Sequence, residues 1–432
     1  MKSFLKTERE KLEAWSGVRP SGRVTHVIGL LIESIGPDVA IGEVCYIYGK
    51  DRRPIHCQVV GFKDHKVLLM ALADLPQISP GAEVFPTEQV HKVACCNALC
   101  GRVLDALGSP IDGKGPLFAE TTYPVRAMPP PALSRPPIDA VLSTGIKAID
   151  GFCTLGWGQR IGIFSPPGVG KSTLMGWIAK KSTSDINVIA LVGERGREVR
   201  SFIEHDLGPE GLAKSVIVVA TSDQSALLRK KAANVATAIA EYFRDQGKRV
   251  ILMMDSISRY AMALREIGLA IGEPPTTRGY PPSVFAELPA LLERAGNSEK
   301  GSITGVYTVL NEEEEMLDPI PEQMRSLLDG HILLSRSLAE SGHFPPIDIL
   351  KSLSRLMSEL TSSHHRQQAN QIRSYLHTYQ TAKELINIGA YVSGSNPKID
   401  IALEKIEPIK QLLIQNEISS SSFEALHENL SV

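Results

Sequence analysis

The chain has 432 residues, 43% hydrophobic and 22% charged, a globular composition that excludes disorder along its whole length and allows roughly two to four domains. Lys+Arg 46 against Asp+Glu 48 leaves a net charge of -2, which argues against nucleic acid as the main partner, because such binding rests on clustered phosphate-neutralising cations. No uninterrupted apolar run reaches about 18 residues, and MKSFLKTEREKLEAW lacks the apolar centre of a secretory signal, so a cytoplasmic protein is expected.

Residues 1–20 read as a short amphipathic helix with Phe4, Leu5, Leu12 and Trp15 near one face, ended by Ser16, Gly17 and Pro20. Local packing and docking to a partner are both open for it. From 21 to 90 the runs RVTHVIGLLIES, GEVCYIYG, IHCQVVGF, KVLLMAL and AEVFP, broken by Gly, Pro and Asp, read as a small antiparallel β-barrel. Cys95, Cys96 and Cys100 form the one cluster among six cysteines, and without a second C-x-x-C-like pair they read as buried thiols rather than a zinc site.

Residues 91–158 read as a Gly/Pro-rich linker into an α/β domain extending to 355. Its candidate strands are RIGIF (160–164), NVIALVG (187–193), SVIVVAT (215–221), RVILMMD (249–255), SITGVYTVL (302–310) and HILLS (331–335). They are apolar without strict alternation, as strands covered on both faces should be. In the helix over 226–246, Leu228, Ala232, Val235, Ile239 and Phe243 share a face and Gly247 stops it. Strands alternating with helices predict a mostly parallel sheet. Residues 356–432 read as helical, weakening over the last dozen around Ser419 to Ser422.

Ser165, Pro166, Pro167, Gly168, Val169, Gly170, Lys171, Ser172 and Thr173 follow strand RIGIF and open a helix. A Walker A loop requires this context: small residues let backbone N–H groups wrap phosphates, and the helix N-terminus adds partial positive charge. Lys171 then contacts the β- and γ-phosphates of ATP, and Ser172 ligates Mg²⁺. Asp255 ends an apolar run in Walker B fashion and is expected to hold the Mg²⁺ through water. Glu194 and Arg195 lie just past NVIALVG, on the same sheet edge. There a carboxylate can activate water and an arginine can steady phosphate charge, although a surface salt-bridge loop fits equally well.

The Walker A loop, GERGREV, MMDSISRYAMALREIGLAIGEPPTTRGYPPSVF (253–285), LPALLERAG (288–296), SLLDGHILLSR (326–336) and FPPIDILKSLSR (344–355) closely resemble the flagellar and type III secretion export ATPases, relatives of the rotary ATP synthase subunits. The likeness covers about 21–405 and includes the signature P-x-[hydrophobic]-D-x-x-x-S-x-S at Pro345, Asp348, Ser352 and Ser354. It implies a barrel, a RecA-like P-loop core and a helical C-terminal domain. By resemblance Glu194 is the catalytic glutamate, Arg195 the phosphate-facing arginine beside it, and Arg355 the finger reaching a neighbouring subunit's site. Phe344 is the aromatic on which adenine stacks, and Arg259 a second active-site arginine.

The resemblance further implies a homohexameric motor that unfolds or releases export substrates from chaperones. Its implied partners are a stator-like regulator bound by the N-terminal segment, a stalk protein and an export gate, with peripheral association at the inner face of the cytoplasmic membrane. Departures from the family pattern are Ser165 for the usual glycine, the run Asn311 to Met316, and Pro321. GLLIESIGPDVAIGE and GSPIDGKGPL look closer to the flagellar branch than to the virulence-secretion branch. The alternatives are a catalytic-type subunit of a rotary ATP synthase, an RNA translocase and a non-catalytic scaffold. Having Lys171, Glu194, Asp255 and Arg355 in one chain favours six identical complete sites over a rotary subunit or a scaffold, and residues 21–90, not notably basic and with only Tyr46, Tyr48, Phe62 and Phe85, argue against an RNA translocase.

Overall fold

The computed structural model describes residues 21–49, 53–72, 78–311, 318–416 and the single positions 423, 426 and 430. The N-terminal segment 1–20, the whole acidic run after Asn311, and Ser419 to Ser422 lie outside the described residues. The chain forms two compact units, one built on the first 92 residues and one on most of the remainder.

The first unit is a closed six-stranded antiparallel barrel of β1 (Gly22–Ile28), β2 (Leu31–Ile35), β3 (Glu43–Tyr48), β4 (Pro54–Lys63), β5 (Lys66–Ala71) and β6 (Glu83–Val90), in the order β1-β2-β5-β4-β3-β6. Five apolar runs become six strands because RVTHVIGLLIES folds back on itself. Ile28 pairs with Leu31 across a two-residue loop in which Gly29 takes φ +57°, the left-handed value such tight hairpins need. Val24, Ile32, Ile47, Val59, Leu69 and Val84 fill the interior.

The second unit carries the sheet that positions the site. Its strands are β7 (Val103–Asp105), β8 (Arg160–Ser165), β9 (Ile186–Glu194), β10 (Ser215–Thr221), β11 (Arg249–Asp255), β12 (Ser302–Leu310), β13 (Gly330–Leu333) and β14 (Leu353–Ser354). The order is β14-β13-β8-β12-β11-β9-β10-β7, with every neighbouring pair parallel except β13–β14, and a short ninth strand, Gly296–Asn297, pairs antiparallel with β12 off this path. The stretch expected to be only a linker thus supplies an edge strand, β7, whose three residues were too few to signal a strand among glycines and prolines.

Helices cover the sheet, and the strands are buried along almost their whole length, the burial pattern their apolar runs imply. Lys171–Lys181 (α1) follows β8, and Ala226–Asp245 (α2) precedes β11. At the end of α2, the Glu241 carboxylate accepts from Nε and Nη2 of the buried Arg294 guanidinium at 2.8 and 2.7 Å, a two-point pairing that offsets the cost of burying both charges. A helical hairpin of Ser363–Asn387 (α3) and Pro397–Leu413 (α4) completes the unit. Its buried Ala369, Ile372, Ile409 and Leu413 join the cluster that includes Ile161 and Ile163 of β8. Among the described residues no helix is long and apolar enough to cross a membrane.

Candidate functional site

Parallel strands end on one edge, so the phosphate-loop candidate after β8, Glu194 at the end of β9 and Asp255 at the end of β11 arrive together. Gly168 and Gly170 take φ +78° and +92°, where any side chain would be strained, and Gly170 caps α1 so that Lys171 begins the helix. Ser165 in place of the customary glycine is tolerated because it is the last residue of β8, an ordinary extended position, and its hydroxyl donates to the Pro166 carbonyl at 2.6 Å.

Lys171 occupies the centre. Its Nζ donates to Asp255 Oδ1 at 2.5 Å and stands 3.8 Å from Glu194 Oε1. Asp255 is 3% exposed, and its Oδ1 also accepts from the Thr308 hydroxyl at 2.7 Å. Thr308 lies on β12, the strand between β8 and β11, so sheet order alone sets it beside the carboxylate. Arg259 Nε lies 3.6 Å from Glu194 Oε1, buried and without a hydrogen bond of its own. Gly193 makes room for it, since a Cβ there would meet Arg259 Cδ at 2.8 Å.

Burial, and next the Asp255 carboxylate, push Glu194 up from 4.5 to about 7, against the pull of Lys171. A carboxyl poised there can give and take a proton near neutral pH. The shift also works against the fold: the unfolded chain ionises Glu194 more readily, so stability falls as pH rises from 4.5 to about 7. Glu194→Gln should therefore raise the melting temperature of the nucleotide-free protein by about 1–3 °C at pH 8, a gain that shrinks toward zero as pH falls to about 4.5. Calorimetry across that range checks it; a pH-independent gain would contradict it.

The structure does not gather all expected residues. Arg195 is turned outward, its side chain 71% exposed and paired with Glu198 at 3.1 Å one helical turn on. Arg259 faces Glu194 in its place. Arg355 is held by its backbone: Ser354 Oγ donates to Thr154 O at 2.8 Å and receives Gln159 Nε2 at 3.0 Å, and Arg355 N donates to Asp329 O at 2.9 Å. Its side chain is exposed and reaches the Arg325 carbonyl at 3.3 Å.

The signature before Arg355 has a physical account. The Asp348 carboxylate accepts the N–H groups of Leu350 and Lys351, and the Ser352 hydroxyl bridges Leu333 N and Asp348 O. Phe344 precedes this turn with its ring 44% exposed, an open face for stacking. Ser172 and Thr173 stand at the start of α1 beside Lys171. Thr308 is the member that sequence reasoning missed. The available signal was a hydroxyl inside a strand buried along nearly its whole length.

Residues 145–354 match the nucleotide-binding domain of the ATP synthase alpha/beta family, residues 24–88 its beta-barrel domain, and residues 361–431 the T3SS EscN ATPase C-terminal domain. The "Flagellum-specific ATP synthase" of Bacillus subtilis is 52% identical, over 94% of this chain and 93% of its own length. The chain belongs to the flagellar and type III secretion ATPase family. The "Type 3 secretion system ATPase" of Xanthomonas euvesicatoria is 49% identical over 94% and 92% of the two chains. The assembled ATPase EscN of the enteropathogenic E. coli type III secretion system superposes with a TM-score of 0.89 at 43% identity, over 95% of this chain and 98% of that one. This member of the export ATPase family is thus a nucleotide-binding ATPase of flagellar or type III secretion, and the rotary synthase alternative gives way. Barrel, parallel-sheet core and helical C-terminal domain follow in the order the sequence implied.

Proposed function

We propose that the protein hydrolyses ATP in a homohexameric ring, each site built from one subunit's Lys171, Glu194 and Asp255 and completed by Arg355 of its neighbour. One observation carries this reading. The three groups converge within a single subunit, while Arg355 stands anchored and exposed on the far side of β13, its side chain donating to the Arg325 carbonyl.

The backbone from Pro167 to Thr173, with Lys171, receives the phosphates, and Phe344 stacks the adenine. Ser172 and Asp255 offer hard oxygen donors of the kind Mg²⁺ prefers, Asp255 through water. When bound, that ion supplies charge neutralisation at the phosphate oxygens. Lys171 then exchanges Asp255 for phosphate oxygen, and the Thr308 hydroxyl keeps the Asp255 carboxylate in place. Glu194 orients the attacking water and takes its proton. Arg259 lies closer to this centre than Arg195 does and is the better candidate for steadying phosphate charge from within the subunit.

The work done is export: substrates are released or unfolded from chaperones and passed to an export gate, with a stator-like regulator tethering the ATPase peripherally at the membrane. A stalk protein is the partner best supported. EscN has been solved with its central stalk EscO, and the end of the α3–α4 hairpin here exposes Leu385, Ile388, Val392 and Ile401. A shared site makes activity depend on assembly. ATPase per subunit should rise with protein concentration over the range in which sedimentation shows rings forming; constant activity across that transition would overturn the shared-site reading.

A further inference from the structure

Two residues beyond the end of α4, Gln415 is 2% exposed, deep burial for an amide. Its Nε2 donates to the Gly145 carbonyl at 2.7 Å, its Oε1 accepts from Lys147 N at 2.9 Å, and its own backbone N–H donates to the Phe344 carbonyl at 2.9 Å. One amide orientation satisfies both side-chain bonds, since one faces an acceptor and the other a donor.

The turn that Gln415 grips is itself fixed. The buried Asp150 carboxylate accepts from Thr144 N, Thr144 Oγ1, Gly145 N and Ser143 Oγ at 2.6–3.0 Å. Gly145, at φ +71°, lies against the end of α1, and a Cβ there would meet Lys181 Cβ at 2.6 Å. The helix that opens with Lys171 is therefore connected, through the 143–147 turn and one glutamine, to the main chain of Phe344. Phe344 is 44% exposed, and the hydrogen bond from Gln415 N to its carbonyl gives its main chain a fixed point.

We infer that Gln415 is a positioning residue for the nucleotide base, holding Phe344 at a fixed separation from the phosphate loop. This rests on the reading that Phe344 stacks the adenine. It separates two parts of the ligand: loss of Gln415 disturbs what the base contacts and leaves the phosphate contacts alone.

The test uses the full-length protein with Mg²⁺ and measures calorimetric binding of ADP and of inorganic tripolyphosphate. Gln415→Ala should weaken ADP roughly tenfold, leave tripolyphosphate within about twofold, and raise the KM for ATP with kcat nearly unchanged. Gln415→Glu keeps the acceptor facing Lys147 N but sets an acceptor against the Gly145 carbonyl. It retains the volume of the side chain, guards against a folding failure of the alanine variant, and should show the same selective loss. If either folded variant weakens both ligands equally, or neither, the positioning role is overturned. Phe344→Ala is the reference. Unchanged ADP binding there removes the stacking reading and the inference with it, whereas weakened binding there beside a normal Gln415→Ala overturns the inference alone.

Discussion

Replacing Glu194 by Gln is expected to lower ATP turnover by roughly 10²–10⁴-fold while nucleotide binding stays within a few-fold. The amide keeps the shape of the side chain but cannot take a proton from water. The carboxyl it replaces is held near the midpoint of its titration by burial beside Asp255. Lys171→Ala should fail differently. It removes the ammonium that sits 2.5 Å from Asp255 and 3.8 Å from Glu194, leaving the buried Asp255 carboxylate without its partner and incoming phosphates without their cation, so binding itself is lost. Equilibrium binding beside steady-state hydrolysis distinguishes the two. Turnover by Glu194→Gln within a few-fold of the parent would remove Glu194 from the chemistry.

Arg355→Ala should reduce turnover by about 10³–10⁵-fold, the range for arginine fingers in phosphoryl transfer, with nucleotide binding retained. Among the described residues of its own subunit the guanidinium donates to the Arg325 carbonyl and not to the Lys171 cluster, so its removal leaves that cluster intact. Ser354 and the Asp329 carbonyl continue to hold the backbone there, so the fold should be unaffected. Rings mixed from Arg355→Ala and Lys171→Ala subunits contain interfaces that pair an intact loop with an intact finger, and these should recover part of the activity. Absence of recovery in rings shown to be mixed would place Arg355 outside the neighbour's site.

What the sequence disclosed was local, and what it hid was distant. The phosphate loop was legible because its glycines and Lys171 are contiguous and both flanks are strongly patterned. The turn at Gly29 was concealed by apolar residues on either side, and β7 by the glycines and prolines around its three residues. Thr308 meets Asp255 across 53 residues of chain, a pairing that only the strand order creates. Arg195 and Arg259 exchanged prominence for a similar reason. Adjacency in sequence favoured Arg195, but Glu198 draws it outward, while the missing side chain of Gly193 admits Arg259. Nothing around Gln415 marks it in the sequence; its role emerges from bonds to residues 268 and 270 positions away.

The bridge from Lys171 to Asp255, with Glu194 close by, makes this cluster an internal salt in which the ammonium is already paired. Nucleotide entry is therefore an ion exchange, in which phosphate must outcompete carboxylate for the same ammonium. A polyphosphate arriving bare would strand Asp255 without a counter-charge in a nearly dry setting, whereas one arriving with a divalent ion brings the replacement along. On the proposed reading, nucleotide carrying a divalent ion should therefore enter more readily than nucleotide alone.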